Sequence, residues 1–487
     1  MRRILALIAA AALGVVAFTM VEPAAPVDPS FGTTVPPEPD GATGSPSVWY
    51  CSWVDSGALR DSTYDLATIV DVDALISLPS PIPNEEPDTA SLALSAPSAV
   101  SFDTATIVRR GEAPGIVEFD DGPATASSVV WGEALVTGDR CVVSVPKVWH
   151  LSGGTTADGF FLQLRLFNPF PENAKVTVNG ISEFGAEPLP ELTGFDVPGR
   201  SWVTFDLTRV IPLLDQVSFT VDTDQGLVIP SLVLADESDE ASWPGSGLST
   251  TWDFPVTSDA GLASSIVITN TGNRDAVVAV DVFTPDGPII DASEVVVPAG
   301  VPLRMLLSDL AAPPFAVRLR SSAAVSAVVE ARTPTPDEET DLDGVPPDEV
   351  VPPADDEEEG DHADDDGAVE EPALVDGLAG TVGIVEPASR WLLPGVGLTP
   401  GTVSTIWIMN PGPEPATVTL TPLALDGTRS AEKLLVERGS VLGFEVAAGS
   451  RFGVDGYLLE STEPVSVAWS VRGERGVAFI AGVAAGG

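Results

Sequence analysis

Basic residues are scarce in this sequence: 23 Lys and Arg stand against 71 Asp and Glu, a formal charge of −48 over 487 residues. Phosphate recognition needs a clustered basic surface, so DNA and RNA are excluded as partners. Cysteine and histidine number two each, too few for a Cys/His zinc site. Aromatic residues make up only 6% of the chain. Beyond the N-terminus no segment is long and uncharged enough to span a bilayer. What is present is a 44% hydrophobic content, enough for sizeable cores, with 45 Gly and 45 Pro. That composition favours many short strands and turns over long helices.

The N-terminus reads MRRILALIAAAALGVVAFTM. Arg2 and Arg3 precede an unbroken small and apolar run from Ile4 to Met20. This is an export signal, and its length suits either a cleaved signal peptide or a retained membrane anchor over 1–20. Both place the remainder outside. Residues 21–47, rich in Pro, Gly, Ser, Thr and acids, read as a flexible stalk. In an exported chain Cys51 and Cys141 are expected to form a disulfide; two free thiols are the alternative.

Three segments align without gaps around an asparagine: LQLRLFNPFPENAKVTV, SIVITNTGNRDAVVAV and TIWIMNPGPEPATVTL, with Asn168, Asn270 and Asn410. Apolar residues recur two and four positions before each Asn, and again eight and ten positions after it. A tryptophan precedes each Asn (Trp149, Trp252, Trp391) and a glycine follows (Gly199, Gly300, Gly439). Period-2 apolar positions on both sides of a Pro/Gly/Asn turn mark a hairpin with one buried face. Asn168, Asn270 and Asn410 are expected to cap that turn with their side chains. The spacing predicts an all-β chain of tandem immunoglobulin-like β-sandwiches after the N-terminal hydrophobic helix, with repeats at 145–236, 250–332 and 388–487. Residues 48–144 read as a degenerate fourth copy, closed by the disulfide. Between Thr333 and Gly377 lie nineteen Asp and Glu and no Lys or Arg. Taking these acids from −48 leaves −29, so the remainder is acidic too. The stretch 333–377 reads as an acidic disordered linker between repeats. Cutting it should then release 378–487 as a folded repeat.

The motif WYCSW, the second cysteine ahead of VWHLSGGTT, and the hairpin NPGPEPATVT resemble an exported actinobacterial family, domain of unknown function 5719. The resemblance spans about 48–485 and carries Cys51, Cys141, Trp149, Gly153, Gly154, Thr155 and Asn168. Ser52-Trp53, where the family is expected to have Pro-Gly, and the acidic insert depart from it. The resemblance implies export and repeated β-sandwiches, without an established activity. It also implies occurrence near glycosyltransferase-like genes, which points toward wall-polymer metabolism.

The catalytic motifs are thin. His150 is the sole histidine outside the acidic stretch, His362 the other, and no G-x-S-x-G elbow is visible. The stretch Gly153–Gly159 reads as a turn, because no lysine follows it. Glu118 and Asp120, which could be paired glycosidase acids, alternate with apolar residues and read as a solvated strand face. The pieces DLDG and ADDDG lack EF-hand spacing. Trp53, Trp131 and Trp243 are candidates for sugar stacking or for sandwich cores. The expectation is therefore a non-enzymatic exported scaffold or adhesion protein, without cofactor or metal. It would face outside, membrane-tethered through its N-terminus or secreted, and bind an unknown envelope protein or polysaccharide. A carbohydrate-binding accessory of wall-polymer metabolism is the alternative. A hydrolase with carboxylates drawn from separate units is a further one.

Overall fold

The computed structural model describes residues 47–485 except 334–376 and short stretches at 56, 58–59, 81, 83–84, 108–110, 133–134, 238, 258–260, 398–401, 424–429, 447–455 and 475. The expected N-terminal helix and stalk lie outside the described residues, as does nearly all of the expected acidic linker. Among the described residues, no helix is long and apolar enough to cross a membrane.

The period-2 positions form strands with one face buried. Ile266, Ile268, Val278 and Val280 share one core, and Ile406, Ile408, Val418 and Leu420 share another, all at most 1% exposed. Four such units follow one another, each made of two antiparallel sheets around an apolar core. Unit one has eight strands, Ser47–Asp55, Arg60–Thr68, Val72–Leu78, Asp88–Leu94, Ser98–Asp103, Glu112–Phe119, Ala124–Gly132 and Val136–Arg140, and its sheets run first-sixth-third-fourth and fifth-second-seventh-eighth in that order. Units three and four repeat this order with the sixth and seventh strands fused into one. These 17-residue strands, Ala316–Arg332 and Gly456–Arg472, pass from one sheet to the other. Their N-terminal halves pair in one sheet and their C-terminal halves in the other. This order corrects the immunoglobulin expectation, in which the first, second, fourth and fifth strands share a sheet.

The domain boundaries also need correction. Each unit carries near its end a short strand that pairs with the seventh: Val136–Arg140, Glu240–Pro244, Leu378–Val382 and Val477–Ala481. Repeat 145–236 therefore continues to Pro244. The second repeat does not end at 332. Thr333 N–H donates to Gly377 O at 3.0 Å, and Leu378–Val382 pairs back on the strand just left. The acidic stretch is thus the loop of one hairpin inside unit three, not a joint between units. Unit three must cross it to complete its sheet.

These four terminal strands are the inner strands of the molecule. That of unit one packs on that of unit two, two on three, three on four, and four on one, closing a ring. They are almost wholly buried on both faces. Glycine allows two of the close approaches. A methyl group on Gly138 would meet the Ile480 side chain at 2.8 Å, and one on Gly380 would meet the Trp243 ring at 2.6 Å.

Candidate functional site

The asparagines have one job, repeated three times. The Asn168 amide donates to Glu172 O (2.8 Å) and Val197 O (3.2 Å), while its carbonyl accepts from Phe170 N–H (3.0 Å). Asn270 makes the same bonds to Arg274 O, Val297 O and Gly272 N–H, and Asn410 makes them to Glu414 O, Val436 O and Gly412 N–H. Each Asn is fully buried and ties its hairpin to the following turn. The repeated tryptophans also serve the fold. The indole N–H of Trp149, Trp252 and Trp391 donates to Val228 O, Val325 O and Val465 O at 2.8–3.1 Å. Cys51 and Cys141 are joined in a buried disulfide that ties the first strand of unit one to the residue after its inner strand.

The chemistry-bearing residues gather at the seams of the ring. Between units one and two, Arg60 Nη1 lies 3.0 Å from Asp55 Oδ2 and 2.8 Å from Glu240 Oε2. Arg165 Nε lies 2.8 Å from Glu112 Oε1, and its guanidinium stacks 4.5 Å above the Trp53 ring. Burial pulls the Arg165 guanidinium down to about 10 against the pull of Glu112 and Glu240. Burial also raises the Glu240 carboxyl, opposed by Arg60 and Arg165. Toward the axis, Ser242 donates to Asp139 Oδ2 at 2.7 Å. Burial pushes Asp139 up to about 7, against that hydrogen bond and the nearby Arg140 and Arg165.

At one end of the axis Asp239 joins three units. Its Oδ2 accepts from Leu378 N–H of unit three (2.9 Å) and Val477 N–H of unit four (3.3 Å). Burial raises this carboxyl well above the ordinary range despite those bonds. Four equivalent hairpins end here, closed by Gly132 N–H to Leu135 O, Asp236 to Asp239, Thr333 to Gly377, and Gly473 to Gly476. Three have two-residue loops; the fourth carries residues 334–376.

Gly153–Gly159 is a clasp between units two and three. Gly154 N–H donates to Glu330 Oε1 at 2.6 Å, and Arg304 holds Glu330 Oε2 at 2.6 Å. Gly153 and Gly154 have φ of 82° and 108°, and a methyl group on Gly153 would strike the Glu330 carboxylate. Gly153 leaves room for this charged side chain from a distant strand, whereas a methyl group on Gly154 would press on Leu162 at 3.1 Å. Sequence reasoning missed Glu330 and Arg304, since each sits in an ordinary alternating strand.

Other candidates disperse. His150 is buried, with Nδ1 3.4 Å from Thr220 Oγ1, and burial pulls its imidazole down to about 4. Glu118 and Asp120 are exposed, and Asp120 Oδ1 accepts from Asp73 N–H. Trp53 and Trp243 are at most 1% exposed, which removes them as sugar platforms. Among the described residues, no three His, Cys, Asp or Glu are grouped to hold a metal ion.

The segment holding both the second cysteine and the GGTT clasp also decides the family. A family of unknown function (DUF5719) matches residues 91–354. The chain belongs to that family. The DUF5719 match begins inside unit one, takes in all of unit two and the folded part of unit three up to its long hairpin, and ends within the acidic stretch. It includes Cys141, Gly153, Gly154, Asn168 and Glu330, and is shorter than the 48–485 expected from motifs. No curated protein matches the chain.

Proposed function

We propose that this DUF5719 chain is an exported, non-catalytic cell-envelope scaffold, held to the membrane by its N-terminal segment or released. It would carry its acidic segment from one end of a rigid ring. One observation supports this reading most. The buried carboxylates Asp65, Asp139, Asp239, Glu240, Asp253, Asp281 and Glu330 each bind an arginine, a serine or main-chain N–H groups of the fold. Asp139, Asp239, Asp253 and Glu330 bind across unit boundaries. These acids are occupied with assembly and are poorly placed for hydrolysis. The carbohydrate-accessory reading has less support, because Trp53 and Trp243 lie within cores.

The test replaces 334–376 with a two-residue loop like those of the other units. The scaffold reading expects an unchanged fold and loss of the proteins that co-purify from the native envelope. Unchanged co-purification, together with hydrolysis of an envelope polymer by the purified chain, would overturn it. Binding of residues 48–487 on a glycan array would favour the accessory reading.

A further inference from the structure

Unit two carries an exposed apolar tip that the fold does not use. Leu213 is 72% exposed and Phe184 80%, the latter the most exposed large apolar side chain described. Leu213 has φ of 65°, a left-handed backbone that suits Gly or Asn and strains a bulky residue. Its loop is nevertheless held from both flanks. Leu213 N–H donates to Thr156 O (2.9 Å), Leu214 N–H donates to Thr156 Oγ1 (3.1 Å), and Thr156 Oγ1 donates to Ile211 O (2.6 Å). Glu183, the neighbour of Phe184, accepts from Asp215 N–H (3.0 Å) and Gln216 N–H (3.2 Å). One carboxylate thus fastens the Phe184 turn to the Leu213 loop. A strained, rigid loop that keeps a leucine in water serves nothing within the unit. Strain of this kind gathers at binding sites, and a preorganised apolar anchor loses little entropy on docking.

We propose that Phe184 and Leu213 form a docking tip for a protein partner with an apolar pocket rimmed by Lys or Arg. The charge around the tip selects that chemistry. The acids Asp158, Asp206 and Asp215 around the tip outnumber the exposed Arg209, which lies 3.2 Å from Asp206. An acidic rim repels both an anionic lipid surface and the chain's own acidic segment, which departs three residues beyond Glu330 of the adjoining clasp. The proposal rests on the scaffold reading and adds the place and chemistry of one contact.

The test places photo-reactive benzoylphenylalanine at 184, at 213 and, as control, at the exposed Ile290 of unit three, in the full chain in its native host. The tip expects one discrete protein adduct from 184 and 213 and none from 290. Mass spectrometry should locate the adduct on an apolar partner segment flanked by Lys or Arg. Asp215→Lys should lower the yield at least fivefold. Leu213→Asn suits the left-handed backbone, so it should leave the melting temperature equal or higher while cutting the adduct from 184 about tenfold. Lipid adducts alone, the same adduct from 290, or an adduct indifferent to Asp215→Lys would overturn the tip. Adducts from 290 but not from 184 or 213 would overturn the tip and spare the scaffold. No protein adduct from any position, with no loss of co-purifying proteins on removing 334–376, would sink both.

Discussion

The seam between units one and two and the seam between units four and one close the same ring by different means. The first relies on charge: Arg60, Arg165, Glu112 and Glu240, with Trp53 under a guanidinium. The second relies on small apolar surfaces, where Ala67 and Ala99 meet Leu392, Leu423, Leu458 and Ala485. A buried ion pair that loses one partner leaves an uncompensated charge, whereas an alanine contact fails chiefly by overpacking. The seams should therefore break under different insults. Arg165→Ala should cost ~3–5 kcal/mol in urea unfolding, since Glu112 loses its close cation. Ala99→Leu should cost only ~1–3 kcal/mol. Equal losses would mean that the charges at the first seam are better solvated than their burial implies.

A unit core gives a reference for both. Ile268→Ala should cost ~2–5 kcal/mol, because the side chain is fully buried among Ile266, Val278 and Val280. A loss below ~0.5 kcal/mol would contradict that packing. The clasp between units two and three should match the apolar seam. Gly153→Ala should cost about 1–3 kcal/mol, since the methyl group must displace the Glu330 carboxylate. Gly153→Ala combined with Glu330→Ala should lose less than the two single variants added together, a coupling that separates the clasp from simple backbone strain.

The charged seam is also the one that pH should sense. The Asp139 carboxyl is raised in the fold, so its contribution is complete below the ordinary carboxylate range and is lost as pH climbs through about 7. His150 is depressed to about 4, so its contribution is present above ordinary histidine values and is lost as pH falls toward 4. Between about pH 4 and 7 these two trends oppose each other, so the melting temperature should vary little there. Asp139→Asn should leave the His150 trend alone, so that the variant's melting temperature rises from about pH 4 toward neutral. A profile unchanged in that variant would show that Asp139 is ionised throughout.

The sequence made the hairpins legible and concealed the ring. Ile266, Ile268, Val278 and Val280 alternate with polar residues because one face of each strand meets water, and that alternation is readable. The inner strands EASWP, LAGTV and VAFIA are buried on both faces, so they alternate with nothing and resemble loop. Their absence from the repeat pattern moved the expected ends of two units inward. The partners of the GGTT motif and of Asp239 come from distant units, which no local pattern carries. The acidic stretch was legible as a break in composition. Its place inside a hairpin depended on Leu378–Val382, the strand least visible of all.

That placement gives the smallest expected effect. If the acidic stretch joined two independent bodies, a cut there would release residues 378–487. In the structure Leu378–Val382 completes unit three and also packs on the inner strands of units two and four. The C-terminal piece would keep all of unit four, with Val483–Ala484 paired to Leu392 and Trp391 and Val483 against the core of unit one. A specific protease site introduced within 334–376 should therefore yield two bands on a denaturing gel. Size exclusion should still show one particle with an unchanged elution volume. Dissociation should appear only under denaturant, at a midpoint that depends on protein concentration because the nicked chain unfolds into two molecules. Prompt separation of the fragments in native buffer would mean that the inner strands do not close the ring in solution.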